Sequence, residues 1–280
     1  MPIKIGAHVS ISGGLDKAIE RAAEIGANCA QVFSGSPRMW HQKELSQYHL
    51  EKMFSKQDEM SVEPVFIHAK YLVNLASNNQ ELIRKSVRSL IHDLKVNQLI
   101  KGAGVIVHLG SHQGRGWEQT KAQLVKAINQ IFEKTPKQSK LLIENSAGQN
   151  GKVASDLGEI RLLLDQVDQK QRLGWCFDTC HGFAAGYKLS GKGSVLTEIS
   201  RLNLWQSLAC IHLNDSKTAF GSGKDRHENI GQGKIPQEML KSFLNDKRIK
   251  NLPLITEVPG FDDQGPDKKN LDRIKDLVGV

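Results

Sequence analysis

Trp175-Cys176-Phe177-Asp178-Thr179-Cys180-His181 decides how this chain is read. Its apolar run reads as a buried strand, yet the run stops on a carboxylate with an imidazole three residues on. Strand propensity does not put Asp at the end of a buried run, and an unpaired buried charge is costly, so that edge must serve something that needs charge. The same grammar recurs in Val65-Phe66-Ile67-His68, Val105-Ile106-Val107-His108, Leu141-Leu142-Ile143-Glu144, Cys210-Ile211-His212 and Leu254-Ile255-Thr256-Glu257. Each is a short, mainly apolar run closed by a residue able to bind a metal ion.

Working outward, segments of helical period lie between the runs. The first strand, Ile3 to His8, precedes a helix with apolar positions Leu15, Ile19 and Ala22, closed by Gly26. Strand two, Ala30 to Ser34, is followed by a weaker helix from about Glu44 to Glu59. After strand three, Pro64 to His68, Asn78 and Glu81 form a capping box before a long face of Leu82, Ile83, Val87, Leu90, Ile91 and Leu94. Strands Gly104–His108, Lys140–Glu144 and Leu173–Asp178 carry helices through Leu124, Ile160 and Ile199. Strand seven, Leu208 to Leu213, leads through a long loop to a helix opened by Pro236, and Leu252 to Glu257 precedes a last helix through Ile274. Eight such units match the count and the approximate length of a (β/α)8 TIM barrel. An open doubly wound sheet is the alternative, disfavoured because no Gly-rich phosphate turn follows a strand. One domain over residues 1–280 is expected.

Bulk properties narrow the class. At 39% hydrophobic and 24% charged residues the chain has an ordinary globular composition. A net charge of +8 with a pI near 9.2 is compatible with a polyanionic partner. No apolar stretch approaches the roughly 20 residues of a membrane span. The start, Met1-Pro2-Ile3-Lys4-Ile5-Gly6, reads as the head of strand one and not as a signal peptide. Cys29, Cys176 and Cys210 read as reduced, buried thiols, so a cytoplasmic protein is expected.

In such a barrel the C-terminal strand ends share one rim. His68, His108, Glu144, Asp178, His212 and Glu257 all fall there, with His8 joining from strand one. One histidine at a strand end is more often a hydrogen-bonded core residue than a ligand. Several carboxylates brought together repel one another, and cations resolve that conflict. Imidazole and carboxylate without thiolate suit zinc, then manganese or iron. The set exceeds what one ion takes, so at least two are expected. The loop Asn214 to Lys234 adds Asp225-Arg226-His227, whose acid and imidazole at i and i+2 point the same way in an extended segment, and His181 completes a further ligand group.

The chain resembles the endonuclease IV family of apurinic/apyrimidinic (AP) DNA repair enzymes over essentially its whole length. The resemblance runs through Gly6-Ala7-His8-Val9-Ser10, Pro37-Arg38-Met39-Trp40, His68 to Leu75, His108-Leu109-Gly110-Ser111-His112 and Ile143-Glu144-Asn145-Ser146-Ala147-Gly148-Gln149. It continues through Phe177-Asp178-Thr179-Cys180-His181, Ala184-Ala185-Gly186-Tyr187, His212-Leu213-Asn214-Asp215-Ser216-Lys217, Asp225-Arg226-His227 and Glu257. It implies a zinc-dependent deoxyribonuclease IV of the phage-T4-induced type, acting as a monomer on double-stranded DNA with abasic sites. Three zinc ions per chain are implied, with manganese admissible at one site. His68, His108 and Glu144 would hold the first; Glu144, Asp178, His212 and Glu257 the second; His181, Asp225 and His227 the third. Glu144 and Glu257 are the expected catalytic residues, in metal-bridged hydroxide attack on the phosphodiester 5′ to the lesion. The products would be a 3′-hydroxyl and a 5′-deoxyribose phosphate, with removal of 3′ blocking groups as a second activity. Arg38, Tyr71 and Leu72 would fill the gap left by a flipped nucleotide, and Lys217 and Arg226, with Lys188 and Lys224, would face phosphates. Departures from the family pattern at Gly35-Ser36-Pro37, Ala69-Lys70 and Gln232 touch loops and no ligand. Two other readings compete: a divalent-metal sugar isomerase or epimerase on the same barrel, and a module that only binds damaged DNA.

Overall fold

A computed structural model describes residues 3–280. Its apolar runs are short parallel strands: β1 (Ile5–His8), β2 (Cys29–Phe33), β3 (Val65–His68), β4 (Gly104–Val107), β5 (Leu141–Glu144), β6 (Leu173–Asp178) and β7 (Leu208–His212). A small antiparallel hairpin, β8 (Asp215–Ser216) with β9 (His227–Glu228), precedes the last barrel strand, β10 (Leu254–Thr256). The barrel closes in the order β1-β10-β7-β6-β5-β4-β3-β2. Pairing of β1 with β10, in register Ile5 to Leu254, excludes the open sheet. Met1 and Pro2, placed by the sequence at the head of the first strand, lie outside the described residues.

Pleat parity builds the site. Cys29, Phe66, Ile106, Leu142, Cys176, Cys210 and Ile255 form a separate apolar cluster filling the barrel. Two residues further along each chain segment, on the same face, come Gln31, His68, His108, Glu144, Asp178, His212 and Glu257. A polar crown therefore stands on an apolar plug. Gly6, two before His8, is obligatory for a different reason: a Cβ there would overlap the Cys29 carbonyl of the neighbouring strand.

The outer ring comprises α1 (Leu15–Glu24), α2 (Leu50–Met60), α3 (Gln80–Leu99), α4 (Trp117–Glu133), α5 (Leu157–Gln166), α6 (Thr179–Ala184), α7 (Val195–Arg201), α8 (Gln237–Leu244) and α9 (Lys268–Val278). Their apolar stripes and the outward faces of the strands share the larger core, in which Leu90, Leu94, Ile128 and Ile160 are fully buried. Among the described residues no helix is long and apolar enough to cross a membrane. All four cysteines are free and buried.

Local details depart from the sequence reading. The cap of α3 is Asn79, not Asn78: its side chain accepts from the backbone N–H of Glu81 (2.9 Å) and Leu82 (3.1 Å). Asn79→Ala is expected to lower stability by about 1 kcal/mol in thermal melts, and Asn78→Ala to do far less. The helix expected from Glu44 is a 3-10 turn, Leu45–Gln47, followed by α2; between them Tyr48 turns inward to donate its hydroxyl to the Ser34 carbonyl at 2.6 Å. Pro236 stands one residue ahead of α8, and the strand expected over Leu252–Glu257 is β10, spanning only Leu254–Thr256. The sequence also gives no sign of α6, which begins directly where β6 stops.

Candidate metal centre

The join of β6 to α6 explains the carboxylate that ends a buried strand. Asp178 is the N-cap of α6, its Oδ1 accepting from the His181 N–H at 2.7 Å. Its Oδ2 accepts from Asn214 Nδ2 at 2.6 Å, and the Asp178 N–H donates to Asn145 Oδ1 at 2.6 Å. Capping thus fixes Asp178 and places His181 in the first helical turn beside it.

Glu144 lies at the middle, with no exposed surface. Its Oε2 stands 3.2 Å from His68 Nε2 and 3.3 Å from His108 Nε2, and its Oε1 stands 2.9 Å from His212 Nδ1. His212 Nδ1 also faces Glu257 Oε2 at 3.2 Å and Asp178 Oδ2 at 4.0 Å. Two ligand-competent groups result, His68–His108–Glu144 and Glu144–Asp178–His212–Glu257, with donor atoms within 4.8 Å of one another in each. Glu144 belongs to both. His8 contacts the second from its edge, Nδ1 to Glu257 Oε1 at 3.2 Å.

A third group forms around His181 and His227, whose Nε2 atoms are 3.4 Å apart. Asp225 Oδ1 lies 3.1 Å from His181 Nε2 and 3.7 Å from His227 Nε2. The expectation of Asp225 with these imidazoles needs one addition. Asp178 Oδ2 approaches His227 Nε2 to 3.5 Å, and Asp178, His181 and His227 meet the same 4.8 Å spacing. Asp178 therefore touches the second and third groups as Glu144 touches the first and second. The β8–β9 pairing, Ser216 with His227, carries the loop back to the crown.

The residues fit divalent ions because the imidazoles are oriented to present free lone pairs. His68 Nδ1 donates to the Ala69 carbonyl (2.7 Å), His181 Nδ1 to the Asn145 carbonyl (3.0 Å) and His227 Nδ1, more loosely, to the Glu257 carbonyl (3.4 Å). His212 is reversed, its Nε2 donating to Gln31 Oε1 at 2.8 Å. These four rings are engaged at the back, leaving the other nitrogen to face carboxylates, the arrangement of metal-ligating histidines, whereas the buried Nδ1 of His108 has no hydrogen-bond partner. Cys180 contributes nothing; burial pushes its thiol up to about 12.

Electrostatics agree. Burial raises Glu144, but the His108 and His212 imidazoles outweigh that and hold it well below the usual carboxylate range. Burial alone dominates Asp178, raising it, and His108, pushed down to about 4. Burial lowers His212 too, yet Glu257 and Glu144 carry it up to about 10. The carboxylates thus draw a proton onto His212 at neutral pH, and a divalent ion can take the place of that proton, while His108 stays neutral.

Gln31 and Lys152 escape the sequence reading. Gln31, fully buried, donates from Nε2 to Glu257 Oε1 (2.6 Å) and to His8 Nδ1 (2.8 Å) while accepting from His212. Parity with Cys29 is the signal that finds it. Gln31→Leu is expected to lower zinc affinity at the second group about 10- to 100-fold, measured by competition with a chromophoric chelator. Lys152 places Nζ 3.2 Å from Asp225 Oδ2.

Around the mouth, a cavity of about 500 Å³ is lined by Lys70, Tyr71, Lys152 and Val258 as well as crown residues. Tyr71 is 65% exposed and packs edge-on to Phe33, ring centres 5.2 Å apart. Leu72 is half-buried beside it; Arg38, Lys188, Lys217, Lys224 and Arg226 are exposed. Met39 and Phe220 also present large apolar surfaces to solvent.

A family model described as xylose isomerase-like TIM barrel matches residues 19–277. "Probable endonuclease 4" of Halothermothrix orenii is 38% identical over 269 residues, covering 95% of this chain and 96% of that protein. The crystal structure of endonuclease IV from Thermus thermophilus superposes with a TM-score of 0.86 at 33% identity, covering 99% of each chain. A 3-keto-D-glucoside 4-epimerase from E. coli shares the fold alone, at TM-score 0.69 and 12% identity. Matched along nearly its whole length, the chain belongs to the endonuclease IV family of xylose isomerase-like TIM barrels.

Proposed function

We propose that this chain is a zinc-dependent AP endonuclease, hydrolysing the phosphodiester 5′ to an abasic site in duplex DNA and leaving a 3′-hydroxyl and a 5′-deoxyribose phosphate. Trimming of blocked 3′ ends is part of the same reading. The observation that carries it is the set of back-bonded imidazoles facing shared carboxylates in three adjoining groups. His68, His108 and Glu144 would hold the first ion; Glu144, Asp178, His212 and Glu257 the second; His181, Asp225 and His227, with Asp178 beside them, the third, manganese being admissible at one. Bound divalent ions supply a nucleophile at neutral pH and offset charge on the phosphate oxygens.

The protein's own groups do the rest. Glu257, kept ionised chiefly by His212 despite its burial, accepts the proton of the attacking water; Gln31 holds its Oε1 in place. Tyr71, Leu72 and Arg38 fill the space vacated by the flipped nucleotide. Lys217 and Arg226, helped by Lys188 and Lys224, take phosphates, so binding should weaken steeply with salt. The chain acts as a single-domain monomer over residues 1–280 in a reducing cytoplasm, a compartment favoured by four free, buried thiols.

A sugar epimerase shares the barrel, but a rim of exposed Tyr71, Met39 and Phe220 among cations suits a long polyanion with exposed bases better than a small sugar. Incubation with a duplex holding one abasic site tests the proposal. Incision 5′ to the lesion, abolished by a chelator and restored by zinc, is expected. An uncut duplex, or incision indifferent to chelation, overturns it.

A further inference from the structure

The third group carries a cation supplied by the chain itself. Lys152 follows the short turn Gln149–Gly151, its N–H donating to the Gln149 carbonyl at 3.1 Å and its backbone bridging to Ser111. From this fixed base Nζ reaches 3.2 Å from Asp225 Oδ2, while Asp225 Oδ1 faces His181 and His227. Gln149 Oε1 accepts from the Asp225 N–H at 3.1 Å, so one turn grips Asp225 twice. The pair is only 28% and 25% exposed, and solvent screens it less than a surface ion pair. Among the described residues it is the one ion pair between a lysine or arginine and a carboxylate of the three ligand groups.

We propose that Lys152 makes the third position the weakest and most readily exchanged of the three, its ammonium neutralising Asp225 whenever the ion is absent. The inference rests on the metal-centre reading and deepens it. Two effects oppose each other: the ammonium orients Asp225, which favours the ion, and it repels a dication, which disfavours it. Orientation does not depend on Lys152, because the Gln149 bond and the β8–β9 pairing also hold this segment. Repulsion between a single and a double charge in a partly screened site therefore outweighs it.

The test titrates metal-stripped full-length protein with zinc at buffered free concentrations and counts ions per chain by mass spectrometry. The parent should fill two positions first and the third at clearly higher free zinc. In Lys152→Met and Lys152→Gln the third step should move at least about tenfold lower, with the first two unchanged, while Lys152→Arg keeps the parent's order. A third step that stays put or moves upward in both neutral variants overturns the proposal. Binding of only two ions by parent and variants overturns it too, leaving a two-ion centre standing. A parent that binds none overturns the metal-centre reading as well. Should Lys152→Met lose the first two ions through misfolding, Lys152→Gln decides.

Discussion

Glu257→Gln is expected to cut turnover on an abasic duplex by about 10²- to 10⁴-fold while the chain still folds and retains its ions. The substitution keeps the size of the side chain and an oxygen able to accept from Gln31 Nε2, now at 2.6 Å from Oε1. It removes the negative charge that faces His212 Nδ1 at 3.2 Å and the oxygen basicity that would receive a proton. Because Glu257 also belongs to the second ligand group, ions per chain must be counted beside kcat. Retained ions with collapsed kcat assign Glu257 to the chemistry. Near-parental turnover with the ions in place would remove it.

Glu144→Ala should act more broadly. Its carboxylate stands within 3.3 Å of the imidazoles of His68, His108, His181 and His212, and none of its surface meets solvent. Truncation takes a shared ligand from the first and second groups at once, so both ions should be lost at micromolar free zinc and incision should fall by at least about 10⁴-fold. It also leaves buried imidazoles without the carboxylate that offsets their charge, a change of the kind that costs several kcal/mol, roughly 3–5. Here His108, already pushed down to about 4 by burial, relieves part of that by staying neutral. A lowered melting temperature is therefore expected, but not collapse of the barrel, whose apolar plug and helix packing are untouched. Full zinc retention in Glu144→Ala would show that the carboxylate is not shared.

What could be read from the sequence is what costs free energy when unexplained. A carboxylate or imidazole closing a buried apolar run is such a signal, and it located His68, His108, Glu144, Asp178, His212 and Glu257 at the rim where the closed barrel brings them together. Gln31 carried a weaker one: an amide in a strand is cheap to satisfy, and only its two-residue spacing from Cys29 marks it as inward-facing. Six residues of α6 are too few for a periodic signal, and its cap doubles as the last residue of β6. Lys152 could not have been found, since its meeting with Asp225 spans 73 positions and depends on two loops. Asp178's approach to His227 is likewise a matter of three-dimensional placement, with i and i+2 spacing pointing only to Asp225. Asn78 and Asn79 are adjacent and chemically alike; the choice between them lies in which backbone turns first.

The proposed activity requires cations among these acids and imidazoles. Zinc, manganese, iron and magnesium should be quantified per chain in protein purified without chelators or affinity metals. Three ions per chain, predominantly zinc, is the expected result; a metal-free protein that also fails to take up zinc on addition would contradict it.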